Sequence, residues 1–99
     1  MNSRHWETDR TEREAIIRAI GVGNVIKTVV VDRGHRNGPE VHKITDTGIV
    51  VIYNQYTGRM ITKLVARPNQ IRRYYRPEEV IPANLLRLAR EHQMAGYNV

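Results

Sequence analysis

The chain has 99 residues, enough for one domain with a single modest core. It contains no cysteine, which excludes disulfides, zinc fingers and a cysteine nucleophile. Sixteen Lys and Arg residues against ten Asp and Glu residues give a net charge of +6, and this excess favours encounters with polyanions. We therefore predict a single domain over residues 1–99 that acts on phosphate-bearing partners, with RNA as the first candidate.

The N-terminal part of the chain predicts a short helix. Thr11-Glu-Arg-Glu14 fits a capping box, and apolar residues follow at helical spacing up to Ile20, where Gly21-Val-Gly23 ends the run. Residues 3–10 are a candidate helical turn before it. Such a turn would bring His5 and Arg10 close to the body of the domain.

The middle of the chain predicts four consecutive antiparallel strands. Val25 to Val31 is rich in β-branched residues and precedes a loop, residues 32–39, that contains Gly, Asn-Gly and Pro. Short turns separate the other strands, which are predicted at Glu40–Thr45, Ile49–Tyr53 and Arg59–Ala66. Consecutive strands with tight turns are typical of a β-meander.

Two segments follow the predicted sheet. Arg67-Pro-Asn69 breaks the last strand, and Gln70 to Tyr75 is predicted as an extended segment. Pro82 to Met94 has apolar residues near one helical stripe and is followed by Gly96, which predicts a second helix that covers the sheet. The expected fold class is α+β, with an N-terminal helix, a four-stranded antiparallel β-meander and a C-terminal helix.

The basic residues suggest a way to handle RNA without a metal ion. Cleavage of RNA needs a proton acceptor for the ribose 2′-hydroxyl, cations for the oxyanion and a proton donor for the leaving 5′-oxygen. His, Lys, Tyr and Arg side chains can fill these roles. The candidate phosphate donors are Arg10, Arg59, Lys63, Arg67, Arg72 and Arg73. The alternative for each of them is a solvated surface charge.

The four histidines differ in their sequence context. His35 lies in the Gly-rich loop and His92 near a helix end, so both are expected to be structural or surface groups. His42 alternates with Val41 along a strand and is expected to face the open side of the sheet, while His5 precedes the capped helix. None has the spacing of a preformed ligand pair, so we predict no metal and no cofactor.

A threonine and two tyrosines complete the candidate set. Strand periodicity places Thr62 on the same face as Met60 and opposite Lys63. Thr62 is an ordinary strand residue unless its hydroxyl faces a substrate. Of the consecutive Tyr74 and Tyr75, one is expected to face inward and the other outward, and Tyr74 is the preferred candidate.

Residues 5–75 resemble a superfamily of small toxin ribonucleases. The resemblance is carried by His5 and Arg10 before a short helix, and by strands that contain Ile-Val-Val-Ile-Tyr53 and Arg59-Met-Ile-Thr62. These features are similar to the barnase, EndoU, colicin and RelE superfamily, and most of all to C-terminal toxin modules of contact-dependent inhibition and other polymorphic toxin systems. The resemblance implies a metal-independent endoribonuclease that cleaves RNA, with transfer RNA expected, and leaves a 2′,3′-cyclic phosphate.

The resemblance also suggests roles for individual residues. His5 is expected to act as general base or acid, and Arg10 and Arg73 to clamp the phosphate. Thr62 is expected to position a non-bridging oxygen, and Tyr74 to orient or protonate the leaving group. Substrate-binding roles are expected for Arg59, Lys63, Arg72 and Arg73. The helix after Arg76 departs from the arrangement of many family members.

The resemblance further implies partners and a place of action. The implied partners are an RNA substrate and a cognate immunity protein or antitoxin with an acidic surface. The implied place of action is the cytoplasm of a target bacterial cell, which the protein would reach as the C-terminal piece of a secreted protein. The chain has no signal-like or membrane-spanning apolar run, so we expect no membrane association. Two alternatives are a non-catalytic nucleic-acid-binding module and a structural interaction protein of a phage or mobile element.

Overall fold

A computed structural model describes the backbone of residues 2–99 and the side chains of residues 10–99. The elements in chain order are α1 (Asn2–Ile20), β1 (Val25–Val31), β2 (Glu40–Thr45), β3 (Ile49–Asn54), β4 (Met60–Val65), α2 (Pro68–Tyr74) and α3 (Ala83–Met94). The predicted α+β class is confirmed, with an N-terminal helix, four antiparallel strands in one sheet and a C-terminal helix. Within residues 2–99 no helix is long and apolar enough to cross a bilayer.

The first helix is longer than the capping box predicts. α1 begins at Asn2 and not at Thr11, so the box lies inside a continuous helix of 19 residues. Residues 2–10 contain neither Gly nor Pro, and nothing in the backbone chemistry stops the helix there. The predicted helical turn and the predicted helix are therefore one element.

The four strands form one antiparallel sheet in the order β1-β2-β3-β4. The strand register places one residue from each strand side by side in a row across the sheet: Val29, His42, Ile52 and Thr62. Because cross-strand partners share a face, these four side chains lie on the same side of the sheet. β1 and β4 are the edge strands.

A β-bulge in β4 changes the face of Met60. Ile52 pairs with Thr62 while its neighbour Tyr53 pairs with Met60, which leaves Ile61 as the extra residue. Met60 therefore shares the face of Tyr53, and Thr62 shares the opposite face with Ile52. The predicted placement of Met60 and Thr62 on one face is wrong, because simple alternation fails across a bulge.

Helices cover both faces of the sheet. On one face, α2 and α3 bury a core of Ile44, Val50, Ile52, Ala66, Ile71, Leu85 and Ala89. On the other face, α1 packs Ile17 against residues of β3 and β4, namely Ile49, Val51 and Val65. The sheet thus separates two regions in which a helix meets the strands.

The segment predicted as extended is the helix α2. Pro68 occupies its first turn, where the missing N–H removes no helical hydrogen bond, and Ile71 is fully buried against the sheet. The prediction of an extended Gln70 to Tyr75 is wrong, since burial of Ile71 favours a helix that places Gln70 and Tyr74 one turn apart. This helix positions the site described next.

Candidate active site

A cleft of about 800 Å³ opens where β1, the loop after it, α2 and α3 meet. Five arginines line it, namely Arg33, Arg67, Arg72, Arg73 and Arg90. The other polar wall residues are Asn69, Gln70, Tyr74 and Gln93, and no acidic side chain among residues 10–99 is part of the wall. We call this region the arginine cleft. Guanidinium groups gathered in a concave surface attract anions and match the geometry of phosphate oxygens.

A chain of hydrogen bonds leads from the wall of the cleft into the protein. The Tyr74 hydroxyl lies 2.5 Å from Nδ1 of His42, and Nε2 of His42 lies 2.8 Å from Oε1 of Glu40. The amide of Gln70 donates a further hydrogen bond to the Tyr74 oxygen at 3.1 Å. A phenol in an anion-attracting cleft is thus connected to a buried imidazole and a carboxylate.

The strand register and α2 together bring these groups into contact. Glu40 and His42 are two residues apart on β2, so both side chains lie on the face of the sheet that α2 covers. Tyr74 is the last residue of α2 and packs against the same core. His42 is only 2% exposed, and α2 is the reason. The prediction that His42 faces an open side of the sheet is therefore wrong.

The surroundings of Tyr74 keep its phenol neutral. Burial raises the pKa of Tyr74 above its usual value, and the negative charge of Glu40 acts in the same direction. The hydrogen bond from Gln70 and the positive charge of Arg33 oppose this increase in pKa without cancelling it. At neutral pH, Tyr74 therefore carries its proton.

The other two histidines have the contexts that the sequence predicts. His92 is buried on α3, and its Nε2 lies 2.9 Å from the carbonyl oxygen of Thr47 in the turn between β2 and β3. His35 is exposed in the loop after β1. Neither lines the arginine cleft, which agrees with a structural role for His92 and a surface position for His35.

A smaller cleft of about 390 Å³ lies on the opposite face of the sheet, between α1 and β4. We call it the α1 groove, and it is lined by Arg10, Arg13, Glu14, Ile17, Met60, Ile61, Thr62 and Lys63. Arg10 donates a hydrogen bond to Glu14 at 3.3 Å, and the Thr62 hydroxyl donates to the carbonyl oxygen of Lys63 at 3.3 Å. The groove is basic, but an acidic side chain is part of its wall.

The residues predicted as one site are distributed over two clefts. The arginine cleft contains Arg72, Arg73 and Tyr74, whereas the α1 groove contains Arg10, Thr62 and Lys63. Arg59 is exposed in the turn before β4 and lines neither cleft. The His5 side chain lies outside the described residues. α1 and α2 pack on opposite faces of the sheet, and Thr62, which shares the face of Ile52, lines the α1 groove from the edge strand β4.

Sequence reasoning missed several residues in the wall of the arginine cleft or hydrogen-bonded behind it, and one signal was available. Glu40 and His42 are spaced i, i+2 on a predicted strand, which is enough to place a carboxylate beside an imidazole. Gln70 and Tyr74 are spaced i, i+4, but that spacing is informative only once the segment is known to be helical. Arg33 and Arg90 come from a loop and a distant helix, and no local pattern relates them.

The cleft offers two kinds of chemistry to a bound anion. Arginines can hold a phosphate and its developing negative charge, and Tyr74 can exchange a proton at the cleft wall. Among residues 10–99, no group of three or more His, Cys, Asp or Glu side chains is placed to hold a metal ion.

Comparison of the chain with protein-family models, with curated proteins and with solved structures gives no match. The similarity to toxin ribonucleases remains a prediction from the sequence. Function is therefore inferred from the geometry of the arginine cleft, with that similarity as a guide to the substrate.

Proposed function

We propose that the protein is an endoribonuclease that cleaves RNA in the arginine cleft without a metal ion. In this proposal a ribose 2′-hydroxyl attacks the adjacent phosphate and leaves a 2′,3′-cyclic phosphate and a free 5′-hydroxyl. The observation that carries the proposal is the Tyr74 hydroxyl, hydrogen-bonded to the buried His42 in a cleft with five arginines. This reaction requires cations that bind the phosphate and a group that transfers a proton, and the cleft combines both kinds of side chain.

The arginines hold the phosphate in this mechanism. Arg72 and Arg73 precede Tyr74 on α2, and Nη1 of Arg72 donates to the side-chain oxygen of Asn69 at 3.0 Å. That bond orients one guanidinium at the cleft. Forked guanidinium groups bind two phosphate oxygens at once, and they stabilise the extra charge of the pentavalent oxyanion.

The substrate and partners follow the sequence resemblance. Transfer RNA is the proposed substrate, and the proposed inhibitor is an immunity protein or antitoxin whose acidic surface covers the arginine cleft. Such a surface would pair with a cleft wall that has five positive charges and no acidic side chain among the described residues. The proposed place of action is the cytoplasm of a target bacterium, after delivery as the C-terminal piece of a secreted protein.

One observation favours a second candidate function. The same five arginines would bind the phosphates of a nucleic acid even if no bond were cleaved. A non-catalytic binding module would give salt-sensitive retention of RNA without new ends. The two functions therefore differ in whether RNA fragments with new ends are formed.

The test is cleavage of total bacterial RNA by the folded chain in EDTA, read on a denaturing gel and by analysis of 2′,3′-cyclic phosphate ends. Tyr74→Phe removes only the hydroxyl and should lower the cleavage rate by about 100-fold or more. Tyr56→Phe is the matched control, because Tyr56 is 75% exposed and lies outside the cleft. This control should cleave at the parental rate.

Two results would contradict the proposal in different ways. Intact RNA after incubation with the folded parent chain would exclude the enzyme and favour the binding module. Cleavage by Tyr74→Phe at the parental rate would show that the chemistry takes place elsewhere on the protein.

A further inference from the structure

Glu40, His42 and Tyr74 form a continuous chain of hydrogen bonds that ends at the wall of the arginine cleft. The side chain of His42 is 2% exposed and that of Glu40 is 24% exposed. A substrate in the cleft therefore meets the imidazole only through the Tyr74 hydroxyl. The position of each proton in this chain decides what Tyr74 can do.

The donors and acceptors in the chain leave one arrangement for a neutral imidazole. An ionised Glu40 carboxylate only accepts hydrogen bonds, so Nε2 of His42 carries the ring proton. Nδ1 then offers a lone pair, and the Tyr74 hydroxyl donates its proton to it. The phenol proton therefore points into the protein. Gln70 donates to one lone pair of the Tyr74 oxygen, which leaves the other lone pair to accept a proton from a substrate in the cleft.

We infer that Tyr74 relays a proton from the ribose 2′-hydroxyl to His42, and that Glu40 is the positioning residue that holds His42 in the tautomer able to accept it. The inference rests on the proposed function, because it names the proton acceptor of that same reaction. It assigns roles to two residues, Glu40 and His42, that are not among the site residues predicted from the sequence.

The relay is balanced in atoms and charge. The 2′-hydroxyl proton moves to the Tyr74 oxygen as the Tyr74 proton moves to Nδ1 of His42. The 2′-oxygen then bonds to phosphorus, the bond from phosphorus to the 5′-oxygen breaks, and the 5′-oxygen takes a proton from water in the open cleft. His42 is left as an imidazolium beside the Glu40 carboxylate, and its extra proton returns to solvent through Tyr74.

This role differs from the leaving-group donor that the sequence resemblance suggests for Tyr74. A phenol whose pKa is raised by burial gives up its proton reluctantly to the cleft, and the hydrogen bond already directs that proton toward His42. A relay needs no free phenolate, because the oxygen gains one proton as it loses another. The geometry therefore favours the acceptor direction.

The charged groups around the relay come from several elements. β2 contributes Glu40, the loop after β1 contributes Arg33, and α3 places Arg90 on the cleft wall. α2 contributes Tyr74 itself and the uncharged Gln70. A protonated His42 has no lone pair for the relay, so the relay requires the neutral imidazole.

The test uses the full chain and the variant Glu40→Gln, which keeps the side-chain shape and removes the charge. We expect kcat to fall by about tenfold or more with KM nearly unchanged, because Glu40 does not touch the substrate. Glu78→Gln, at an exposed position between α2 and α3, is the control and should leave both unchanged.

A second readout does not depend on activity. ¹⁵N NMR of the histidine rings in the parent chain should show His42 as the neutral tautomer with the proton on Nε2 and none on Nδ1. A neutral ring with the proton on Nδ1 would overturn the relay. Cleavage by Glu40→Gln with the parental kcat would overturn it as well. Intact RNA with the parent chain would instead overturn the proposed function, so the two failures are distinguishable.

Discussion

The arginine cleft and the α1 groove are both basic, and each lies where a helix meets the same sheet. They differ in what accompanies the positive charge. In the α1 groove, Arg10 is hydrogen-bonded to Glu14, and the wall includes the half-exposed apolar side chains of Met60 and Ile61. The arginine cleft instead combines five arginines with a phenol bound to a buried His42. Positive charge marks both regions, whereas a buried and fully hydrogen-bonded acid–base pair marks only one.

His42 and Thr62 show the same contrast within one row of the sheet. Both pair with Ile52, one from each side, and therefore share a face. His42 lies on a central strand beneath α2 and finds partners on two other side chains. Thr62 lies on an edge strand and satisfies its hydroxyl with the adjacent carbonyl of Lys63. Position beneath a helix, more than residue type, determines which polar side chain joins a network.

The largest expected effect is on the free energy of unfolding, in a comparison of one side chain packed under α2 with one in the α1 groove. Ile71→Ala removes a side chain that is fully buried under α2 and should lower the free energy of unfolding by about 2–5 kcal/mol. Ile61→Ala, at a position that is 50% exposed in the α1 groove, should change it by no more than about 0.5 kcal/mol. Urea unfolding followed by circular dichroism measures both. If Ile71→Ala lowered the free energy of unfolding as little as Ile61→Ala, α2 would not rest on a packed core.

The next effect compares single positive charges on the two faces. Arg73→Ala removes a cation from the arginine cleft and should lower kcat/KM for RNA cleavage by roughly 10- to 100-fold. Arg13→Ala removes the same charge from the α1 groove and should lower it by less than about threefold, through weaker general attraction of RNA. Initial rates at fixed ionic strength decide between them. A larger loss for Arg13→Ala would transfer the site to the α1 groove.

The smallest effect is expected at the threonine that the sequence places in the active site. Thr62→Val keeps the shape of the side chain and removes a hydroxyl that bonds only locally among the contacts described. The cleavage rate should stay within about threefold of the parental rate, because this hydroxyl is directed to the backbone. Single-turnover cleavage of a defined transfer RNA is the measurement. A loss of 100-fold would mean that Thr62 reaches the substrate after all.

Some site residues were recognisable from the sequence because the signal is local. The run from Gln70 to Tyr75 is dense in cationic and phenolic side chains, so Arg72, Arg73 and Tyr74 were identified without the fold. The resemblance groups Arg10, Thr62 and Lys63 with them, but these three residues line the other cleft. The strand pattern predicts an open face for His42, because nothing in its own strand indicates that α2 covers it.

Local sequence patterns are enough to predict the strands and the fold class. β-branched runs, Gly-containing turns and a Pro-containing break are local features, and β1 and β2 have the predicted bounds. Three features instead depend on packing between distant parts of the chain: residues 68–74 are helical, the basic residues divide between two clefts, and Glu40, His42 and Tyr74 meet. These outcomes depend on burial of residues far apart in the chain, such as Ile71 against the strands of the sheet. The free energy gained from burying such residues cannot be read from the local sequence, because it depends on partners far away in the chain.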